Sequence, residues 1–189
     1  MSDWELEPLG LGDAAVLRMP RYADARGSLV ELWNPDRLPP GPLRRPWRQT
    51  NLAHSRPGVL RGLHLQSPTL QHKLVQVLVG RVFDVIVDLR PGSPTRRQWR
   101  ARWLSADSDE QLYVPAGFAH GFCVPEDGPA ATVLYMLDPT YRPQQGVVLR
   151  YDAPELAIPW PVDRPVLSPR DANGSSLEEV EARLSSEDS

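Results

Sequence analysis

The stretch Leu74-Val75-Gln76-Val77-Leu78-Val79-Gly80-Arg81-Val82-Phe83-Asp84-Val85-Ile86-Val87-Asp88-Leu89 decides the fold. Two runs rich in β-branched residues meet at a Gly-Arg pair, a pattern that predicts two strands joined by a turn. Taken as a tight hairpin, it pairs Val79 with Val82 and Val77 with Asp84, and sets Lys73 opposite Asp88. Lys73, Asp84 and Ile86 then share one face, the inner one, with Lys73 about 13 Å along the strand from the Asp84 row at roughly 3.3 Å per residue.

Outward from this pair, further short β-type runs fall at residues 28–33, 49–53, 99–104, 111–114, 121–124 and 131–137. The links between them are too short and too rich in glycine and proline to hold crossover helices of about 10–15 residues, which argues against a parallel sheet. The expectation is an all-β protein, a cupin-like antiparallel jelly-roll barrel with short peripheral helices. Helix signals are confined to Asp36-Arg37-Leu38 and to the end of the chain. There Ser176-Leu177-Glu178-Glu179 reads as a capping box, followed by Leu177, Val180 and Leu184 on one face. Residues 1–175 are read as one domain and 176–189 as an acidic tail, a short helix or frayed end. Residues 138–143 read as an ordered loop beyond the last central strand.

The bulk properties narrow the function classes. At 189 residues and 41% hydrophobic the chain has room for one substantial core. Twenty-one prolines and 13 glycines punctuate it, below the share that marks a disordered chain. A net charge of −3 supplies no overall basic field for a polyanion, so nucleic acid is not an expected partner. The opening Met1-Ser2-Asp3-Trp4-Glu5 is acidic without an apolar run, and no stretch approaches about 18 apolar residues. The reading is a cytoplasmic protein without membrane contact. Cys123 is the only cysteine, which excludes an intrachain disulfide and any multi-cysteine metal site, and is read as a buried structural thiol.

Chemistry gathers around a few positions. Lys73 is the only lysine among 21 basic residues, a compact ammonium with a tunable pKa where every other cation is a guanidinium. Asp84 interrupts an apolar strand, a costly place for an unpaired carboxylate. In Arg61-Gly62-Leu63-His64 a regular strand would turn Arg61 and His64 to opposite faces, but Gly62 allows a bulge that re-aims one of them. His64 is suited to proton transfer near neutral pH. His120 sits in Val114-Pro115-Ala116-Gly117-Phe118-Ala119-His120-Gly121-Phe122, where glycines, proline and aromatics fix the backbone around an imidazole. Tyr135 lies in an apolar strand and must place its hydroxyl on a partner. His54 and His72 lack such a setting and are read as surface or loop residues, and Asp171 by itself reads as a turn residue.

Asp24-Ala25-Arg26-Gly27, Gln49-Thr50-Asn51, residues 58–64, Lys73, Val82-Phe83-Asp84-Val85, Pro91-Gly92-Ser93-Pro94-Thr95, residues 115–122, Leu134-Tyr135 and residues 167–171 together resemble the dTDP-4-dehydrorhamnose 3,5-epimerases. The resemblance covers roughly residues 15–172. It implies a metal-free, cofactor-free homodimer that inverts C3 and/or C5 of a nucleotide-linked 4-keto-6-deoxyhexose through an enolate, in deoxysugar biosynthesis. By resemblance His64 is the base, Asp171 fixes its tautomer, Lys73 stabilises the oxyanion, and Tyr135 returns a proton from the other face. Asp84 holds the ammonium or contacts the sugar. Arg61 and His120 bind the diphosphate, Gln49 and Asn51 add polar contacts, and Tyr141 and Arg170 belong to the binding residues. Arg26 and Glu31 would reach across the dimer into the neighbouring site.

The chain departs from the family pattern at several points. Ser28-Leu29-Val30 stands where relatives carry an aromatic residue, removing a stacking surface for the base. Met136 replaces a basic residue after the tyrosine, Gln144 or Gln145 an acidic one, and Arg170 a lysine. An epimerase of one centre only is the variant within the class. Two rivals come from other classes. One is a metal-dependent cupin using His64, His72, His120 and Asp84, which lack the close histidine spacing such sites use. The other is a non-catalytic sugar-nucleotide binder.

Overall fold

Gly80 does not close a hairpin. In the computed structural model, which describes residues 4–187, the chain passes at Gly80 from one sheet to another. The strands are β1 (Glu5–Pro8), β2 (Ala15–Arg18), β3 (Arg21–Asp24), β4 (Gly27–Val30), β5 (Gln49–Ser55), β6 (Leu60–Gln66), β7 (His72–Val79), β8 (Arg81–Asp88), β9 (Trp99–Ser105), β10 (Glu110–Val114), β11 (Phe118–Cys123), β12 (Ala131–Asp138) and β13 (Gly146–Val148). A six-stranded sheet runs β1-β2-β10-β7-β12-β5 and a five-stranded sheet β13-β6-β11-β8-β9. β7 and β8 are thus central strands of different sheets. β7 spends its two edges on β10 and β12, and β8 on β11 and β9, so neither has an edge left for the other.

The expected register is therefore wrong. Val77 faces Val133, Asp84 faces Phe122 and Arg102, and Lys73 faces Val114 and Leu137. Period-two alternation survives the error, because odd residues of β7 and even residues of β8 still point into the space between the sheets. Val75, Val77, Val82 and Ile86 meet there with Val16, Leu112, Val114, Phe118, Phe122 and Val133. Gly80 is required at the crossing: its φ is +73°, and a Cβ would lie 2.7 Å from the Ala130 carbonyl oxygen.

The two sheets form a cupin-like antiparallel jelly roll with few short helices. The predicted runs at 49–53, 99–104, 111–114 and 131–137 fall in strands, and β6 holds the Arg61–His64 stretch read as a strand that Gly62 can bulge, whereas β1, β2, β3 and β13 were not foreseen. Residues 31–34 leave the strand β4, and Asp36 lies in a turn rather than a helix, with Asn34 accepting from the Arg37 amide. Each sheet also has a covered outer face. Trp4, Leu38 and Leu43 pack with Leu17, Leu74 and Tyr113 on the six-stranded sheet. On the other, Leu177, Val180 and Leu184 of a terminal helix, α2 (Leu177–Glu187), pack with Leu63, Leu65, Val85 and Val87. The capping box forms, Ser176 Oγ accepting from the Glu179 amide at 3.2 Å and Glu179 Oε2 from the Ser176 amide at 2.9 Å. Burial of each of the three aliphatic chains contributes about 1.5–3 kcal/mol. Residues 1–3 of the acidic opening and 188–189 of the tail lie outside the described residues. No helix among the described residues is long and apolar enough to cross a membrane.

Candidate active site

The site begins with two glycines. β6 and β11 cross so closely that a Cβ on Gly121 would lie 2.7 Å from the Arg61 carbonyl oxygen, and one on Gly62 2.5 Å from Gly121 Cα. Between the pairs His64–His120 and Arg61–Phe122, β6 spends three residues where β11 spends two. This is the bulge that Gly62 was read as permitting, and it brings Arg61 and His64 to the same cavity.

His64 meets Asp171 across the fold. Its Nε2 lies 2.5 Å from Asp171 Oδ1. Asp171 belongs to a one-turn helix, α1 (Pro169–Ala172), capped by Ser168, whose Oγ accepts the Asp171 amide at 3.1 Å. Ser168 thereby converts an apparent turn residue into a fixed, buried carboxylate. Burial pushes the His64 pKa below its ordinary value; the Asp171 hydrogen bond and charge oppose this, and the Lys73 and Arg170 charges add to it. Burial alone would raise Asp171, but the His64 hydrogen bond and charge hold it below the usual carboxylate range. A neutral imidazole with an ionised partner is the result at neutral pH.

Lys73 enters from the opposite sheet. Its Nζ donates to the His64 carbonyl oxygen at 2.9 Å, and its side chain is almost fully buried. Burial lowers its pKa to about 8, against the opposing pull of Asp84. Asp84, fully buried, accepts from His120 Nε2 at 2.9 and 3.0 Å. The carboxylate thus serves a histidine by contact and the ammonium by charge. Tyr135, opposite Asn51 on β5 and Val75 on β7, completes the inner face, and its hydroxyl has no partner among the described residues.

Two adjoining cavities meet at these groups. One, of about 270 Å³, is lined by Asn51, Gln66, Gln71, Tyr141 and Arg170 together with His64, Lys73 and Tyr135. The other, of about 130 Å³, adds Arg61, His120 and Phe122 to the same three. Arg61 is held by Ser55 Oγ at 2.9 Å and the His54 carbonyl at 3.2 Å. Arg170 donates to the Tyr141 hydroxyl at 2.6 Å at the rim. Gln66 and Gln71 were not singled out in the sequence; each supports the 138–143 loop, through the Arg142 amide and the Pro139 carbonyl respectively. Their polarity inside a barrel strand and at its entrance was the available signal.

Other expected residues lie apart. Gln49 does not line the cavities, because its amide is engaged at both ends. Arg26 pairs with Asp24 in the exposed β3–β4 hairpin, and Glu31 is held by Asn34 and Arg37. His72 is not a loose surface residue: it opens β7, stacks on Tyr113, and its Nδ1 meets the Tyr113 hydroxyl at 2.9 Å. Burial lowers its pKa to about 4. Its turn to the outer face keeps it from joining His64 and His120, and among the described residues no three His, Cys, Asp or Glu side chains gather as metal ligands. Burial raises the Cys123 thiol to about 12, as suits an inert core residue.

A sequence model described as dTDP-4-dehydrorhamnose 3,5-epimerase matches residues 8–179. A protein of that description from Neisseria gonorrhoeae is 42% identical over 90% of this chain, and the chain spans about half of that relative's length (52%). A dTDP-4-dehydrorhamnose 3-epimerase from Streptomyces niveus is 40% identical over 93% of this chain and 84% of its own length. Among solved structures, a dTDP-6-deoxy-D-glucose-3,5-epimerase from Legionella pneumophila, in complex with dTDP-4-keto-L-rhamnose, superposes with a TM-score of 0.88 at 36% identity, covering 96% of both chains.

Proposed function

The chain belongs to the dTDP-4-dehydrorhamnose 3,5-epimerase family, and from that premise we propose that it inverts C3 and/or C5 of a dTDP-linked 4-keto-6-deoxyhexose in deoxysugar biosynthesis. The observation that carries the reading is the placement of a buffered base and a phenol on opposing sheets of one cleft, with a buried ammonium beside them. Inversion needs removal of a proton on one face and its return on the other, and two facing sheets supply two faces.

The chemistry follows from the named groups. Asp171 occupies Nε2 of His64, which leaves Nδ1 to take the proton from the carbon next to the ketone. The electron pair moves into the carbonyl, and the Lys73 ammonium stabilises the enolate oxygen, a task suited to a compact charge in a dry site. Tyr135 then gives its hydroxyl proton to the carbon from the other side, and solvent resets the phenolate and the imidazolium. Arg61 takes the diphosphate, with the His120–Asp84 pair behind it.

The working unit is a homodimer, with Arg26 and Glu31 completing the neighbouring site. The β3–β4 hairpin supports this: it pairs only with itself and is exposed along most of its length, a poor structure in isolation. A mono-epimerase is the second reading, favoured by the 3-epimerase name of the Streptomyces relative.

Proton NMR of dTDP-4-keto-6-deoxyglucose with the protein in D2O tests the proposal. Loss of both the C3 and C5 proton signals is expected for the double epimerase, and loss of one for the variant. No exchange at either carbon, with the ligand shown to bind, would refute both and leave a binding protein.

A further inference from the structure

His64 stands between Leu63 and Leu65, two buried leucines that pack on the outer side of their sheet. What covers them there is α2, whose Leu177, Val180 and Leu184 belong to the same cluster. Asp171 reaches the same helix along the chain. Only residues 173–176 separate α1 from α2, and Ser175 is fastened on both sides: its N–H donates to the Val148 carbonyl at 2.9 Å, and its carbonyl accepts from the Arg150 N–H at 2.9 Å. Val148 is in turn the β13 partner of His64. Both members of the His64–Asp171 pair thus rest on one helix, the first through packing and the second through a short, tied segment. The helix is itself latched. Glu181, buried, accepts from Arg96 Nε at 3.1 Å and from Arg97 Nε at 2.9 Å and Nη2 at 2.5 Å. Both arginines lie in the link before β9, and Arg97 holds a φ of +64°, uncommon for a residue with a side chain. Arg183 Nη2 donates to the carbonyl of Ser67, the residue that follows β6, at 3.3 Å. The match to the family ends at residue 179, so Val180, Glu181 and Leu184 lie past it.

We propose that α2 is a buttress for the base and that Glu181 is the positioning residue that latches it: Glu181 touches neither substrate nor His64, and acts by keeping Leu63 and Leu65 covered so that the imidazole between them stays fixed against Asp171. The proposal rests on the epimerase reading and gives the acidic end of the chain a part in it. The leverage is short, because Leu63 and Leu65 are the chain neighbours of His64 and their backbone is its backbone. A hydrogen bond weakens steeply as its angle opens, so a small shift of β6 is enough to spoil the pair.

The test is Glu181→Arg, which sets a third cation against Arg96 and Arg97 and drives α2 off the sheet. Hydrogen exchange at the α2 amides, read by mass spectrometry, reports its release. The kcat for dTDP-4-keto-6-deoxyglucose is expected to fall about 10- to 100-fold, the range for reacting groups misplaced by about 1 Å, with KM changed by less than about twofold. Adding Arg97→Glu to the same protein swaps the pair, and should restore both the protection of α2 and kcat to within about threefold of wild type. Unchanged kcat with α2 released, an α2 that stays protected in Glu181→Arg, a loss carried by KM, or a kcat that the swap does not recover would each overturn the proposal. Should the reversal not fold, Glu181→Ala, which removes both ion pairs and adds no charge, carries the test: a smaller fall in kcat at unchanged KM is expected, and no fall would overturn the proposal. Wild-type protein that fails to exchange deuterium into the substrate would instead overturn the epimerase reading itself.

Discussion

Replacing Lys73 by methionine should make the protein more stable and inactive. Methionine keeps the length of the stem and removes the ammonium. The buried amine titrates at about 8 in the fold against an ordinary 10.5, so holding it charged at neutral pH costs about 3 kcal/mol. Against that gain, the substitution loses the hydrogen bond to the His64 carbonyl, worth about 1 kcal/mol. The net is roughly 2 kcal/mol of added stability, or about 4–8 °C in melting temperature for a chain of this size. The pH dependence has a definite sign. Between about 8 and 10.5 the unfolded chain binds a proton at this position that the folded chain does not, so the wild type gains stability as pH rises through that window. Its deficit relative to the variant is complete below about pH 8 and closes above 10.5. Thermal melts of both proteins at pH 7 and pH 10, at equal concentration, measure the gap, and the D2O exchange assay measures activity. A variant less stable than wild type at pH 7, or a gap of the same size at both pH values, would refute the assignment of a desolvated ammonium.

Three further outcomes follow from the site. Asp171→Asn keeps the shape but removes the charge that holds the His64 tautomer, and kcat should drop about 10,000-fold with little change in melting temperature, as for the comparable change in a serine-protease triad. The pH profile of kcat/KM should be bell-shaped, rising as His64 loses its proton below the ordinary histidine value and falling near pH 8 as Lys73 loses its own; a flat profile from pH 7 to 9 would exclude Lys73 as the oxyanion partner. Gly121→Ala places a methyl 2.7 Å from the Arg61 carbonyl oxygen, so β6 and β11 must part; a loss of about 1–3 kcal/mol in denaturant unfolding is expected, together with reduced turnover from displaced His64 and His120.

Alternation along the strands was readable and pairing was not. Lys73, Asp84 and Ile86 do face inward, because side-chain parity is a local property of each strand. Which strand lies beside which is decided by long-range competition for backbone edges, and Gly80 between two apolar runs serves a sheet crossing as well as it serves a hairpin. β6 was legible only through its glycine, for a related reason. Its bulge at Gly62 breaks the period on which strand recognition depends, at the point where that break aims Arg61 and His64 together.

The His64–Asp171 pair shows the same division between local and distant information. His64 announces itself by residue type, but Asp171 lies 107 residues later, and only Ser168, a serine before Pro-Arg-Asp, hints at a capped turn that would hold it rigid. Resemblance to a family paired Asp171 with His64 where local pattern left it an ordinary turn residue, and the two are in contact in the fold. The packing of α2 on the two leucines beside His64 lay beyond both, since an apolar helix face does not name the strand it will cover. The groups that contact substrate can be recognised one at a time from their chemistry. Those that orient them depend on which loop comes to rest against which strand, and that is fixed only when both sheets have closed around the core.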